Sequence, residues 1–415
     1  MTTRPSERDP GYGWTIVAVL AVTETVSWGV LYYAFAVFLP SMQRSLGWSK
    51  TELTGAFSTA LATSALAAFP VGRWLDRHSP RPLMTLGSLA AALLVLAWSQ
   101  VHDLLVFYLV WVGVGLAMAC VLYEAAFTVI TKWFRERRRQ ALTAVTLVGG
   151  CASFVFSPLS NWLIDAQGWR EALITLAIIL AAATVPLHGV FLRLAPELDR
   201  HAGPAVVPGD PTAALGEPAV NPKSAVTSSA FWYLTSAFVL SSFVISAVAV
   251  HLIAYLLEGG RSAAFAALAA GLMGLMQVPG RLLFAGAAAL LPRHYEAPAV
   301  FLLQGAGLAV LAATTTAPGV VVAVSLFGMA NGMATLVRAT ALAEAYGAAF
   351  YGSIAGVAAA CATGARAVAP VAAAGAYAAF SGYKPLLWLM VVGAVLAALS
   401  AAQANRELAS PARAR

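Results

Sequence analysis

Four ionisable side chains, Glu24, Glu124, Arg338 and Arg366, stand inside long apolar stretches of this 415-residue sequence, and His251 lies nearer one end of another. A charge at the centre of a membrane helix costs about 2.5–3.5 kcal/mol on insertion scales, so four of them cost about 10 kcal/mol or more. Such residues must face a cavity, a partner or both. An arginine there keeps its charge and needs an anion, from the protein or from a substrate. A glutamate can take up and release H⁺. Two arginines and two glutamates point to a small organic anion moved together with H⁺. The same residues also allow mutual neutralisation, with a neutral or cationic amphipathic compound as cargo.

Spacing places these groups. Glu24 follows Trp14 by ten residues, about 15 Å along a helix, near the middle of a hydrocarbon core about 30 Å thick. Glu124 precedes Lys132 by eight residues and Arg338 precedes Tyr346 by eight, about 12 Å from the ends of their helices. Glu24, Trp28 and Tyr32 recur every four residues and share one face, as do Asn331, Thr335 and Arg338. Aromatic rings beside ionisable groups suit a pocket for a small organic molecule. Tyr33 and His251 each follow a tryptophan by 19 residues (Trp14 and Trp232).

The elements that must carry these residues follow from composition. The chain is 60% hydrophobic and 10% charged, with mean hydropathy +0.78. Soluble domains carry about a quarter charged residues, so most of this surface faces lipid. Disordered, secreted disulfide-rich and nucleic-acid-binding classes are excluded, despite a net charge of +7. Twelve apolar stretches near 20 residues long predict an all-α integral membrane protein with twelve transmembrane helices. The first is expected over Trp14–Leu39, too long for a signal peptide, and the eighth over Ala263–Pro279. Cytoplasmic termini put 18 of the 25 Lys and Arg residues on the inner side and 5 on the other, with Arg338 and Arg366 left in the membrane. The expected organisation is an N-terminal tail (1–13), a six-helix half (14–193), a proline-rich cytoplasmic linker (194–228), a second six-helix half (229–404) and a C-terminal tail (405–415). Cys120, Cys151 and Cys361 sit in apolar runs and read as small core residues.

The loop after the second stretch, Gly72-Arg73-Trp74-Leu75-Asp76-Arg77-His78-Ser79-Pro80-Arg81, resembles the G-x-x-x-D-R-x-G-R-R loop of the major facilitator superfamily. Gly72, Asp76, Arg77 and Arg81 match, whereas Ser79 and Pro80 replace a glycine and a basic residue. Gly280-Arg281 is a weaker copy without the acid. Asp9-Pro10-Gly11-Tyr12-Gly13-Trp14 is similar to the D-G-[GS]-[WF]-[GA]-W entry motif of the monocarboxylate-porter branch, with Pro10 and Tyr12 as departures. Trp133-Phe134, Arg137-Arg138, Ala141 and Gly149-Gly150 follow that branch's fifth-span pattern, but its eighth-span Asp/Arg pair is absent.

The resemblance implies two pseudo-symmetric six-helix halves that alternate access to a midplane site, with Gly72, Asp76, Arg77 and Arg81 in a gating loop. It puts the first, fourth, seventh and tenth spans around the cavity. Arg338, Arg366, Asn331, Trp28, Tyr32 and His251 are then candidate substrate-binding residues, and Glu24 and Glu124 candidates for proton coupling. Glu124 and Arg338 are expected to approach each other as a switchable pair. Glycines at 113 and 115, 149 and 150, and 328 and 332 allow close helix approach, and Pro158 and Pro370 are matched kink candidates. The expected function is proton-coupled secondary transport of a small organic anion such as a monocarboxylate, across the cell (inner or plasma) membrane, by a monomer. The alternative is proton-driven efflux of a drug-like compound. No span shows a catalytic cluster, so an enzyme is not expected, nor is a cofactor, a metal or a nucleic-acid partner. The six-plus-six organisation favours a carrier over a channel.

Overall fold

The computed structural model describes residues 10–194, 220–287 and 292–409. The tail expected over 1–13, the linker over 194–228 and the tail over 405–415 lie wholly or partly outside the described residues. Asp9 also lies outside them.

Helix starts are written into the connections. Ser49 and Glu52 form a capping box, and Asp103, Ser228 and Ser262 each accept from a backbone N–H three residues on. Ser79 caps the third helix and Pro80 occupies its first turn, where a missing N–H costs nothing. The two departures from the family loop are thus a local helix start. Gly47 and Gly260 close helices at φ of +71° and +76°, a backbone region that strains other residues.

Among the described residues, twelve helices are long and apolar enough to cross a bilayer, from Gly11–Leu46 to Tyr383–Ala409, and there are no strands. Leu66, Leu105, Val371 and Leu399 are among many large apolar side chains left exposed, as a lipid-facing surface requires. Three expectations need correction. The eighth span runs past Pro279 to Gly286, because Pro279 falls in the first turn of the helix Gln277–Ala287. Arg281 is therefore buried on a helix, not in a loop, and Lys132 is likewise buried in the last turn of Tyr123–Trp133. Cys151 is exposed and not a core residue.

The chain divides into two compact units, residues 1–219 with 347–356, and residues 220–346 with 357–415. In the first unit the third span packs on the sixth, the second on the fourth, and the first on the sixth. In the second unit the ninth packs on the twelfth, the eighth on the tenth, and the seventh on the twelfth. The pairing repeats with a shift of six spans, which is the pseudo-symmetry expected. The first unit's core is aromatic, with Phe35, Trp98, Phe107 and Trp111 in edge and tilted contacts. The second is built on alanine, leucine and valine.

Candidate functional site

Three interrupted spans meet at Glu24 in the first unit. The first span is α-helical over Pro10–Trp28, widens into a π-helix over Gly29–Tyr33 and resumes over Ala34–Leu46. Gly29 makes this fit, since any Cβ there would run into the Phe156 ring. A wider turn brings both the fourth and fifth following residues near a given side chain. Trp28 accordingly packs on Tyr32 at 5.1 Å and on Tyr33 at 6.3 Å. The fourth span breaks at Leu122 (φ −92°, ψ −174°), so Tyr123 and Glu124 open a new helix, Tyr123–Trp133. A carboxylate is favoured in that first turn by the helix dipole. The fifth breaks between the helices Arg138–Gly149 and Ala152–Gln167, at the Gly149-Gly150 pair and not at Pro158.

Glu24 is fully buried. Its Oε2 accepts from the Trp28 indole N–H at 3.0 Å, while its Oε1 is buried without a hydrogen-bond partner among the described residues. Glu124 lies within electrostatic range. Tyr123 packs on Trp28 at 5.1 Å, and a Cβ on Gly149 would come within 2.7 Å of the Tyr123 hydroxyl and 3.4 Å of the Glu24 Cβ. The Thr25 hydroxyl lies 2.8 Å from the Ala21 carbonyl of its own helix and 3.1 Å from the Val148 carbonyl next to the fifth-span break, and its one proton is shared between them. The result is a cluster of two carboxyls and four aromatic rings, in which Glu24 Oε1 has no hydrogen-bond partner among the described residues.

A second constellation lies at the end of the second span (Lys50–Arg77). Asp76, 5% exposed, accepts from the backbone N–H groups of Gly352 (2.9 Å) and Ser353 (2.7 Å) and from the Ser353 hydroxyl (2.5 Å). These belong to the first turn of Tyr351–Phe380, where backbone N–H groups are free and the dipole favours an anion. Lys132 completes the site, its Nζ 3.2 Å from Asp76 Oδ1 and donating to the Leu75 carbonyl at 2.5 Å. Gly72 and Gly352 touch backbone to backbone, and a Cβ on Gly356 would lie 2.5 Å from the Ala68 carbonyl oxygen. Arg77 and Arg81 are exposed. The four residues expected in a gating loop therefore divide: Gly72 and Asp76 make the contact, and the arginines are exposed.

In the second unit, Pro370 supplies no N–H, so the Arg366 carbonyl loses its helical partner. Ser246 of the seventh span donates to that carbonyl at 2.8 Å. His251, five residues on, is 3.1 Å from the Pro370 carbonyl through Nε2 and 3.3 Å from the Tyr383 hydroxyl through Nδ1. A carbonyl only accepts, so the bond to Pro370 places a proton on Nε2. His251 also lines an open, mostly apolar cavity with Tyr255, Tyr383 and Met390. Asn331 is buried and accepts from Gln304 at 3.4 Å, and Gln304 accepts from Ser241 at 3.1 Å.

Glu24, Trp28 and Tyr32 share one face, with Trp28 touching both of the others, and Glu124, which was expected to approach Arg338, lies within electrostatic range of Glu24. His251 serves the backbone of the eleventh span, and Asn331 turns to the ninth. Arg338 and Arg366 are half-buried on the tenth and eleventh spans. Sequence reasoning missed Tyr123, Lys132, Ser353, Ser246 and Gln304 as site residues. The signal for Ser353 was its place beside a glycine at a helix start. For Ser246 it was a hydroxyl on the span that packs on a proline. The Gln304 amide inside an apolar stretch was a third. Among the described residues, no group of His, Cys, Asp and Glu could hold a metal.

The chain is 29% identical over 221 residues to monocarboxylate transporter 11 of Mus musculus, which takes in 52% of this chain and 47% of the relative. The same transporter of Homo sapiens is 29% identical over 218 residues, 51% of this chain and 43% of the relative. The matched segments thus take in less than half of these relatives' length. The human organic anion transporter MFSD10 superposes with a TM-score of 0.73 at 16% identity, over 94% of this chain and 99% of that one. The transporter FucP in its outward conformation gives 0.71 at 14% identity, over 94% and 98%. At such identities these two likenesses show the fold. The family and these relatives carry the names of transporters, not enzymes. The Major Facilitator Superfamily profile matches residues 20–370, and with its twelve apolar helices in two repeated sets the chain belongs to that superfamily.

Proposed function

We propose that the protein is a proton-coupled secondary carrier of a small organic anion of the monocarboxylate class, working by alternating access. The observation that carries this reading is the Glu24 carboxyl, buried with Oε1 unpartnered beside Glu124, where three interrupted spans converge. Interrupted helices are tolerated at membrane depth where they line protein or a cavity. Two neighbouring carboxyls that share one proton lose their mutual repulsion and regain it on release, which gives the conformational cycle a proton-dependent step. Arg338 and Arg366 supply fixed positive charge for the substrate carboxylate. The relatives named monocarboxylate transporters support that substrate class. The Asp76 contact with Gly352 and Ser353 is the gate, held closed by Lys132 and opened when the first turn of the eleventh span leaves the carboxylate. The basic-residue bias supports both termini on the cytoplasmic side of the cell membrane.

A second reading rests on the rings around Glu24. Trp28, Tyr32, Tyr33 and Tyr123 beside two acids suit an amphipathic cation, which the proton gradient would drive outward. Proteoliposomes with an imposed pH gradient separate the two, using labelled pyruvate and lactate in one set and a labelled quaternary ammonium dye in the other. The proposal expects the acids to accumulate beyond protein-free liposomes and a protonophore to abolish this. Accumulation of the dye alone establishes the second reading, and accumulation indifferent to the protonophore removes proton coupling.

A further inference from the structure

A cavity open to the surroundings lies in the first unit where the second, fourth and sixth spans end. Leu75 and Val129 give it apolar wall, and Lys132, Trp133 and Arg193 give it donors. Lys132 has three N–H groups; two serve the Leu75 carbonyl and Asp76. Among the described residues, the buried Trp133 indole nitrogen has no acceptor. Arg193 is held in place from beneath, its guanidinium 4.4 Å from the Tyr12 ring centroid. Tyr12 packs on Trp133 at 5.8 Å and is tied by its hydroxyl to the Phe191 carbonyl at 2.8 Å. Thr128 spends its proton on the Glu124 carbonyl. Among the described residues, no carboxylate lines the cavity.

We propose that this cavity binds the phosphate of an anionic phospholipid headgroup, through Arg193, the Trp133 indole N–H and the third N–H of Lys132. A phosphate offers acceptors only and matches a site made of donors. Tyr and Trp at span ends mark the depth of lipid headgroups, and basic pockets between spans are suited to them. The apolar wall suits the glycerol and first acyl carbons, and Trp74 and Val190 near the same span ends are exposed as lipid-facing residues are. Occupancy places an anion one side chain away from Asp76, because Lys132 serves both. The binding site stands independently of what the protein transports.

The test uses full-length protein equilibrated with vesicles of equimolar phosphatidylglycerol and phosphatidylcholine, with retained lipid counted by native mass spectrometry. The wild type is expected to retain one phosphatidylglycerol per chain in preference to phosphatidylcholine. Arg193→Gln should weaken that preference about fivefold, the effect of one basic residue near a headgroup. Trp133→Phe keeps the ring, removes the donor and should weaken it as well, while unchanged melting temperatures show that both variants fold. No preference in the wild type, or an unaltered one in both variants, overturns the proposal. Excess inorganic phosphate should leave the retained lipid in place. Displacement by it overturns the lipid assignment in favour of a soluble phosphate.

Discussion

The first, fourth and fifth spans hold the places in the first unit that the seventh, tenth and eleventh hold in the second. The first set is interrupted at Gly29–Tyr33, at Leu122 and at Gly149–Cys151. The second set runs as three helices of 30 residues each, Ser229–Glu258, Ala317–Tyr346 and Tyr351–Phe380. The acids, Glu24 and Glu124, are at the interruptions. The arginines, 338 and 366, are on the unbroken helices. A guanidinium brings its own five donors on a long stem and needs no local departure from helical geometry. A short carboxyl that must stay buried yet open at one oxygen needs the backbone around it to move aside, and the π-turn, the Leu122 corner and the Gly149-Gly150 pair do this. The one irregularity of the eleventh span, Pro370, is repaired from outside by Ser246, so the helix keeps its course.

The contrast can be broken by mutation, and the largest effect belongs to the first unit. Asp76→Ala leaves Lys132 buried without its anion and should cost about 3–5 kcal/mol in thermal unfolding of the detergent-solubilised protein. A loss no larger than that of an exposed pair would remove the Asp76 contact from this account. Gly29→Ala drives a methyl into Phe156 and should cost about 1–3 kcal/mol. If it is neutral, the π-turn is not held by that close approach.

These effects show what could be read in the sequence. The twelve spans, the two sets of six and the shared face of Glu24, Trp28 and Tyr32 followed from length, hydropathy and spacing, whereas the approach of Glu124 to Glu24 did not. The interruptions did not. Leu122 is apolar in an apolar run, and nothing in its type marks an extended backbone. The π-turn depends on how closely Gly29 approaches Phe156, a residue 127 positions away. Lys132 read as one of several orienting charges, because its partner Asp76 lies on another span and its burial is tertiary. Asn331 shared a helical face with Arg338, but periodicity does not say that Gln304 stands opposite.

The second unit should respond less. Ser246→Ala removes the donor to the Arg366 carbonyl and should cost about 1 kcal/mol, with Ser246→Thr restoring it. A cost of several kcal/mol would mean that the seventh span does more than repair the proline. Smallest and opposite in sign, Gly364→Ala in the eleventh span meets nothing within 4 Å and should stabilise the helix by about 0.5–1 kcal/mol. A loss of stability there would show that the unbroken helix also needs to flex.

The central claim is that Glu24 carries the coupled proton. Glu24→Gln keeps an acceptor for Trp28 and the shape of the turn but cannot be deprotonated. In proteoliposomes loaded with unlabelled pyruvate, the variant should still exchange it for external labelled pyruvate at equal pH on both sides. Under an imposed pH gradient it should accumulate no more than protein-free liposomes do. Accumulation at the wild-type level, with the wild-type response to the gradient, would contradict the assignment of the proton to Glu24.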